Sequence, residues 1–427
     1  MRKFYFFALI ALMASAFTAN ADGAKWEQVL TLPECYAGFA TSHGTVLASD
    51  QKFARNGGIY FSEDQGDTWT KCAVEDYNYA YFFEYEDYVF ALGTGCMVAR
   101  SSDWGKTWEV FDYLDAADEL MKSGMVVVGT VPDNTYAYSG IGFNGRIFVA
   151  NMNNGVFVSD DFGETWNYTD PTGLALGAGG NAHIYCLNEY DDVIYGFGAY
   201  SIFKFDIVEF DADNILEVWE PLSDASNFMT QVTNLGNKMV AGRGINNADL
   251  DTPFLFTSTN GIDWEGVTGR PQIWNAEDEE YVPLKENYVS ALGTYHNPEN
   301  GGSYLLAMTQ HYGVYSSTDM GATWADFSDG LPLDLWPNRY LLTHDDTYVY
   351  AAIFGLETDK ASGIYRFPLS EIPATELGIE TVVADEVIST EYFDLSGRQV
   401  KNPAPGSILI KKEVTNNGVK ATKVISE

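Results

Sequence analysis

Short apolar runs alternate with polar turns along most of this chain, on a scale too brief for helices. Ile59-Tyr60-Phe61, Met97-Val98-Ala99, Val156-Phe157-Val158 and Val314-Tyr315 each stand just before an eight-residue turn. That turn reads Ser-x-Asp-x-Gly-x-Thr-Trp at residues 62–69, 101–108, 159–166 and 317–324, and residues 258–264 hold a version one residue shorter. The pattern predicts a strand, a tight corner and a returning strand. Asp64, Asp103, Asp161 and Asp319 can accept hydrogen bonds from the backbone of their own turns, as Asn260 can in the short version. Gly66, Gly105, Gly163, Gly261 and Gly321 supply a backbone angle that a residue with a Cβ adopts only at a cost. Trp69, Trp108, Trp166, Trp264 and Trp324 open the returning strand and bury a large apolar face.

Seven tryptophans, the five above with Trp26 and Trp219, recur at intervals of 39 to 60 residues. A period near 50, with strand-type patterning and turn signals inside each unit, predicts a propeller of four-stranded blades. The expected fold is all-β. Six blades fall at about 36–74, 79–111, 136–168, 183–222, 228–267 and 288–327. A seventh has second and third strands at Tyr348-Val349-Tyr350-Ala351-Ala352 and Gly363-Ile364-Tyr365-Arg366-Phe367, but no Trp strand after them. Lys25-Trp26-Glu27-Gln28-Val29 is a fourth strand with no predecessors. Joining the two closes the ring through the N-terminal strand and leaves no long open edge.

The predicted division is therefore a leader at 1–21, a seven-bladed propeller at 22–373, a linker at 374–387 and a short β module at 388–427. The leader has Arg2 and Lys3, an apolar run and Ala19-Asn20-Ala21, the layout of a secretory signal. That run is too short to span a bilayer, and no later segment reaches about 18 apolar residues. The final module carries six Lys or Arg against four Asp or Glu, unlike the acidic remainder.

The octets resemble the Asp-box (BNR-repeat) hairpin of sialidases, sortilin-type receptors, xyloglucan-hydrolysing endoglucanases and the photosystem II assembly-factor group. In those families the box is a structural corner, so the resemblance implies a propeller and leaves activity open. The end of the chain, with Tyr392-Phe393-Asp394-Leu395-Ser396-Gly397-Arg398-Gln399-Val400, Pro405-Gly406 and Lys423-Val424-Ile425, resembles the C-terminal sorting domain of the type IX secretion system of the Bacteroidetes. That resemblance implies a secreted or cell-surface protein whose tail is read by the secretion machinery. Without it, the leader alone would imply the periplasm.

A net charge of −36 repels nucleic acid and anionic membrane surfaces, whose binding depends on Lys and Arg at phosphates. It suits a solvated, monomeric exported protein. Cys35, Cys72, Cys96 and Cys186 lack metal-ligand spacing, so no metal or other cofactor is expected. Cys35 and Cys72 fall on inner and outer strands of one blade, too far apart to bridge; a Cys35–Cys96 bridge and free buried thiols both stay open.

Ligands of propellers generally use the side opposite the corners, formed by second-to-third-strand loops and the connections between blades. Here those are about 50–57, 112–135, 169–182, 244–252, 266–287, 310–312, 329–339 and 356–362. They hold or adjoin Arg55, Arg243, Arg270, Trp274, Glu279, Glu280, His311, Tyr312, Trp336 and Arg339, a mixture of aromatic faces and polar groups that suits a glycan or an extracellular protein. Sialidases carry an Arg-Ile-Pro and an arginine triad; this chain has no Arg-Ile-Pro, and the context of its arginines does not match. The xyloglucanase group sets carboxylates of two propellers across a cleft, and only one propeller is present. No Ser–His–Asp or Cys–His motif surrounds the five His. Asp211-Ala212-Asp213-Asn214 lacks the Gly and distal Glu of a calcium loop and reads as a solvated turn. The expectation is a non-catalytic binding protein. The alternatives are a glycoside hydrolase, sialidase-like or endoglucanase-like and using Glu279 or Glu280, and an assembly or scaffold factor.

Overall fold

The computed structural model describes residues 23–51, 57–74, 77–123, 137–151, 155–169, 184–198, 201–206, 220–223, 229–244, 250–286, 288–298, 301–309, 311–333, 336–337, 342–355, 361–375, 387–393, 400, 408–415 and 418–425. The leader, Arg55, Trp219, the 211–214 turn, Arg339 and the 394–399 core of the tail motif lie outside them, as do the side chain of Trp336 and residues 405–406. The chain forms two compact units, Met1–Thr375 and Glu376–Glu427.

The first unit is a seven-bladed β-propeller. Six blades are four-stranded antiparallel meanders with their strands in sequence order. Blade 1 runs through Cys35–Ala40, Val46–Asp50, Gly58–Ser62 and Thr70–Lys71. Blade 2 runs through Tyr79–Tyr85, Tyr88–Gly93, Met97–Ser101 and Glu109–Asp112. Blades 3 to 6 begin at Ala137–Phe143, Ile184–Tyr190, Met229–Leu235 and Val289–His296. Middle strands such as Val46–Asp50 and Gly155–Ser159 are buried along their whole length, because both faces of a blade pack on neighbours.

Seven apolar clusters among the described residues each bridge two adjacent blades. Leu47 and Ile59 of blade 1 meet Phe82 and Val89 of blade 2, and the series continues round to Tyr350 and Ile364 of blade 7 against Ala40 and Val46 of blade 1. The approach is close. A Cβ on Gly142 would lie 1.9 Å from Cγ of Tyr85 on the preceding blade.

Blade 7 is completed by the N-terminal strand. Glu27–Thr31 pairs with Gly363–Pro368, which pairs with Tyr348–Phe354; Thr343–His344 and Trp336–Pro337 both pair with the latter. Trp26, just before that strand, lies against Phe327 and Phe367 with centroids 5.8 and 5.6 Å away. Its Nε1–H donates to the Phe327 carbonyl at 2.7 Å. Arg366 ties Glu27 (3.0 Å) and Asp67 of blade 1 (2.8 Å) together.

Two connections predicted as loops contain regular structure. Leu114–Ser123 is an α-helix, and Gln272–Asn275 pairs with Glu280–Pro283 as a two-stranded hairpin. The helix has good helix formers and a start capped by Asp112, whose Oδ1 accepts from the Leu114 amide at 3.0 Å. Among the described residues no helix is long and apolar enough to cross a membrane. The second unit contains an antiparallel sheet of Val387–Phe393, Ile408–Thr415 and Gly418–Ile425.

Candidate binding face

Antiparallel order gives each blade two unlike ends. First-to-second and third-to-fourth turns share one end; second-to-third loops and blade-to-blade connections share the other.

At the first end the four octets repeat one hydrogen-bond scheme. The Gly66, Gly105, Gly163 and Gly321 amides donate to the Ser hydroxyl at 2.7–2.8 Å. The Thr amide donates to Asp Oδ1 at 2.8 Å and the Thr hydroxyl to Oδ2 at 2.6 Å in every copy. Gln65, Trp104, Phe162 and Met320, just before the glycines, are left-handed as well. Trp69, Trp108 and Trp166 donate to the Gly carbonyl at 2.9 Å, and Trp264 of the short corner does so at 3.0 Å. Trp324 differs. Its Nε1 is buried with no hydrogen-bond partner among the described residues, and its ring instead meets Phe254 edge-on at 5.6 Å.

Each corner also leans on the preceding blade. A Cβ on Gly105 would lie 2.4 Å from Leu47, and one on Gly261 would lie 2.1 Å from Tyr195. The corner aspartates are consumed by this work. The Thr68 hydroxyl and amide and the Ser62 hydroxyl pull Asp64 down to about 2. At Asp103, Asp161 and Asp319 burial pushes upward, but the same hydrogen bonds outweigh it and the net shift is downward.

The other end is irregular. Among the described residues five large hydrophobic side chains are strongly exposed: Leu250, Ile262, Trp274, Tyr281 and Leu333. Ile262 sits in the short corner; the other four belong to connections of the loop end. Trp274 and Tyr281 pair across the 272–283 hairpin, which joins blade 5 to blade 6. They are 55 % and 52 % exposed, with centroids 5.2 Å apart and planes at 67°. Ile273, the residue before Trp274, turns the opposite way and packs on the cluster between blades 5 and 6. Period-two alternation therefore gives the hairpin an anchored face and a displayed face.

The hairpin is braced at both ends. Arg270 donates through Nη1 to the Leu284 carbonyl at 2.9 Å and through Nη2 to that of Thr252. The Leu284 amide donates to the Pro271 carbonyl at 2.8 Å. At the tip Asn275 Nδ2 donates to Asp278 at 2.7 Å, its Oδ1 accepts from the Glu277 amide at 3.0 Å, and Glu279 takes a left-handed φ of 54°. Glu277, Asp278, Glu279 and Glu280 are all exposed.

Nearby in the chain, the Tyr312 hydroxyl donates to Glu286 Oε1 at 3.4 Å. Burial and then the Glu286 charge raise the Tyr312 pKa. The other Glu286 oxygen is buried with no hydrogen-bond partner among the described residues. His311, left-handed at 76°, lines an open recess with Met308, Thr309, Gly313, Leu331, Pro332, Leu333 and Ile353.

Of the residues singled out from sequence, Trp274, Glu279 and Glu280 share the hairpin, and Arg270 holds its base. His311 and Tyr312 stand side by side on the blade 6 loop. Arg243 is buried at the end of Lys238–Arg243, and the backbone of Trp336 pairs with Phe354. Tyr281, Glu286, Leu250 and Leu333 were not singled out. The alternation Ile273, Trp274 against Tyr281, Val282 was the available signal for the first of these.

The four cysteines are free thiols. Burial pushes Cys72 up to about 11 and Cys186 to about 12, and Cys35 higher still, with Asp50 adding to the last. Thiols so shifted are poor nucleophiles at neutral pH. Among the described residues no group of three or more His, Cys, Asp or Glu is placed to hold a metal ion.

No protein-family model matches the chain, and no curated protein matches it in sequence. Solved structures do. One of YCF48 bound to D1 peptide is 14 % identical with a TM-score of 0.50, covering 81 % of this chain and 97 % of that one. The structure of U3-55K is 9 % identical with a TM-score of 0.51, covering 81 % of this chain and all of the other. At such identities the likeness is one of fold, and the shared fold is the β-propeller.

Proposed function

We propose that the chain is an exported, non-catalytic binding protein that holds a polypeptide on the loop end of its propeller. The observation carrying this reading is the displayed Trp274–Tyr281 pair on a hairpin braced by Arg270. Exposed aromatic side chains on a rigid support are what interface anchors consist of, because they offer large contact area at little ordering cost. Two rings crossed at 67° offer no joint flat platform of the kind a sugar ring stacks on, which favours a polypeptide over a glycan. A precedent on the same fold is YCF48, whose structure was determined bound to D1 peptide. The corner carboxylates are engaged in turn geometry and are poor candidates for glycosidase chemistry. On this reading residues 1–21 direct export and the tail from residue 388 addresses the protein to the cell surface.

Peptide-array binding by the full chain, native and Trp274→Ala, tests the site. The expected result is a retained subset of peptides that the variant no longer holds. A glycan panel followed by mass spectrometry tests the alternatives: glycans shortened by the protein would overturn the non-catalytic reading, and Glu279→Gln and Glu280→Gln would then locate the chemistry. Glycans retained uncut, with no peptide held, would move the ligand class to sugars. Fractionation of cells making the chain with and without residues 388–427 tests the address; surface exposure unchanged by the deletion would remove the tail's role.

A further inference from the structure

We infer that the polypeptide taken by this face is cationic, with Lys or Arg presented to the Trp274–Tyr281 hairpin beside an apolar residue; the inference rests on the binding reading above. Glu277, Asp278, Glu279 and Glu280 are consecutive and exposed, and Glu280 pairs with Asn275, the neighbour of Trp274. Glu280 thus adjoins Tyr281 in the chain, and Glu277, Asp278 and Glu279 form the turn that joins the two strands. Among the described residues none of the four has a cationic partner. The corner end is different: Glu164 is paired with Arg100, Asp67 with Arg366, Glu63 with Lys106 and Asp160 with Arg146. Cations there are matched to acids within the fold, whereas the hairpin leaves its acids open.

Local cations do not cancel the field. Arg270 is turned to backbone carbonyls, Arg243 is buried, and among the described residues the exposed cation at the hairpin's foot is Lys285, followed by Glu286. A Lys or Arg side chain reaching the hairpin from solvent would meet the exposed aromatic pair and the carboxylates of the adjoining turn, and its aliphatic stem suits the apolar rings. Arg adds a planar fork that a carboxylate accepts in two bonds. An acidic segment would meet only repulsion.

A net charge of −36 draws cations to the whole surface, so the test must separate local from global attraction. The probes are three sets of random 12-residue peptides with net charges of about +4, 0 and −4, each carrying one Leu, bound to full chain and read by fluorescence anisotropy. The expected result is roughly tenfold or tighter binding of the cationic set, weakening with salt. The variant E277Q/E279Q/E280Q should lose most of that preference. A control, E86Q/D87N/D118N, removes three exposed charges elsewhere and should keep it.

Equal binding of cationic and neutral sets, or equal loss in both triple variants, overturns the inference. If Trp274→Ala still abolishes binding in that case, the binding reading survives without it. If no set binds, the polypeptide reading itself fails. Folding of each variant is checked by its near-UV circular dichroism, and Glu280→Gln alone substitutes should the triple variant not fold.

Discussion

The two ends of this ring solve different problems with the same strands. At the corner end four octets make the same Ser, Asp and Thr hydrogen bonds to within about 0.1 Å, three of them add the indole bond, and a fifth corner, one residue shorter, keeps the Ser, the Gly and the indole bond. At the loop end the described connections differ in kind, from the helix at Leu114–Ser123 to the hairpin at 272–283. The corner end spends its polar groups inward, on backbone amides and neighbouring blades. The loop end displays two aromatic rings beside four carboxylates that have no cationic partner among the described residues. Uniformity marks the part that holds the fold, and irregularity marks the part free to bind.

If that division holds, mutational cost must concentrate at the corner end. The largest effect belongs to Trp26, which fills the place of the corner tryptophan where the first and last strands of the ring pair in blade 7. Trp26→Ala removes a side chain that is 4 % exposed, its contacts with Phe327 and Phe367, and a buried hydrogen bond. A loss of about 3–5 kcal/mol is expected in urea or thermal unfolding. A small loss would mean that closure of the ring rests on the backbone pairing of Glu27–Thr31 alone.

Next comes Gly105→Ala. The residue has φ of 92°, and the added methyl would press on Leu47 of blade 1 at 2.4 Å. Left-handed strain of about 1–2 kcal/mol and overpacking of about 1–3 kcal/mol act together. Gly145, also left-handed but with nothing within 4 Å of its Cβ position, separates the two terms. Gly145→Ala should show the strain only.

Asp161→Ala is smaller, about 1–3 kcal/mol, because the carboxylate is partly solvated although it accepts from Thr165 twice and from Ser159. The corners also set acid sensitivity. A carboxylate whose pKa is depressed in the folded state takes up its proton in the unfolded chain first, so its stabilisation is complete above about pH 4 and is lost as pH falls toward 2. Asp64, held at about 2, defines that window. Unfolding midpoints measured from pH 5 to 2 should fall less steeply in Asp64→Asn than in the native chain. In the short corner Asn260, which does not titrate, stands in the carboxylate's place.

These costs follow how much of the molecule its sequence disclosed. The corners were legible because every partner lies within eight residues: Ser, Asp, Gly, Thr and Trp meet whatever the rest of the chain does. Blade 7 was legible for a related reason, since a Trp strand without predecessors and two strands without a successor complete each other. The hairpin was not legible. Its strands are four residues long, their composition is mixed, and the turn uses Glu279 rather than Gly at a left-handed position. Arg270 looked like a ligand-facing cation, and only three dimensions show its fork directed at two backbone carbonyls. The helix at 114–123 had its signal, Ala, Leu, Glu and Met behind a capping Asp, inside a stretch otherwise read at the period of strands.

The smallest predicted effect is the sharpest test of the loop end. Ile273 and Trp274 are neighbours on one four-residue strand, and pleating sends them to opposite sides. Ile273 is half-buried against the cluster between blades 5 and 6, so Ile273→Ala should cost about 1 kcal/mol. Trp274, the larger side chain, should cost no more than about 0.5 kcal/mol when replaced by Ala, because its ring is mostly exposed and lies against Tyr281 on the displayed face. A larger residue with a smaller stability cost is the reverse of the usual order in a protein core. That reversal, read from paired thermal unfolding curves, is what a displayed binding residue beside an anchoring one must give. Should Trp274→Ala prove the more damaging change, the ring is part of the packing, and that face is not free to bind.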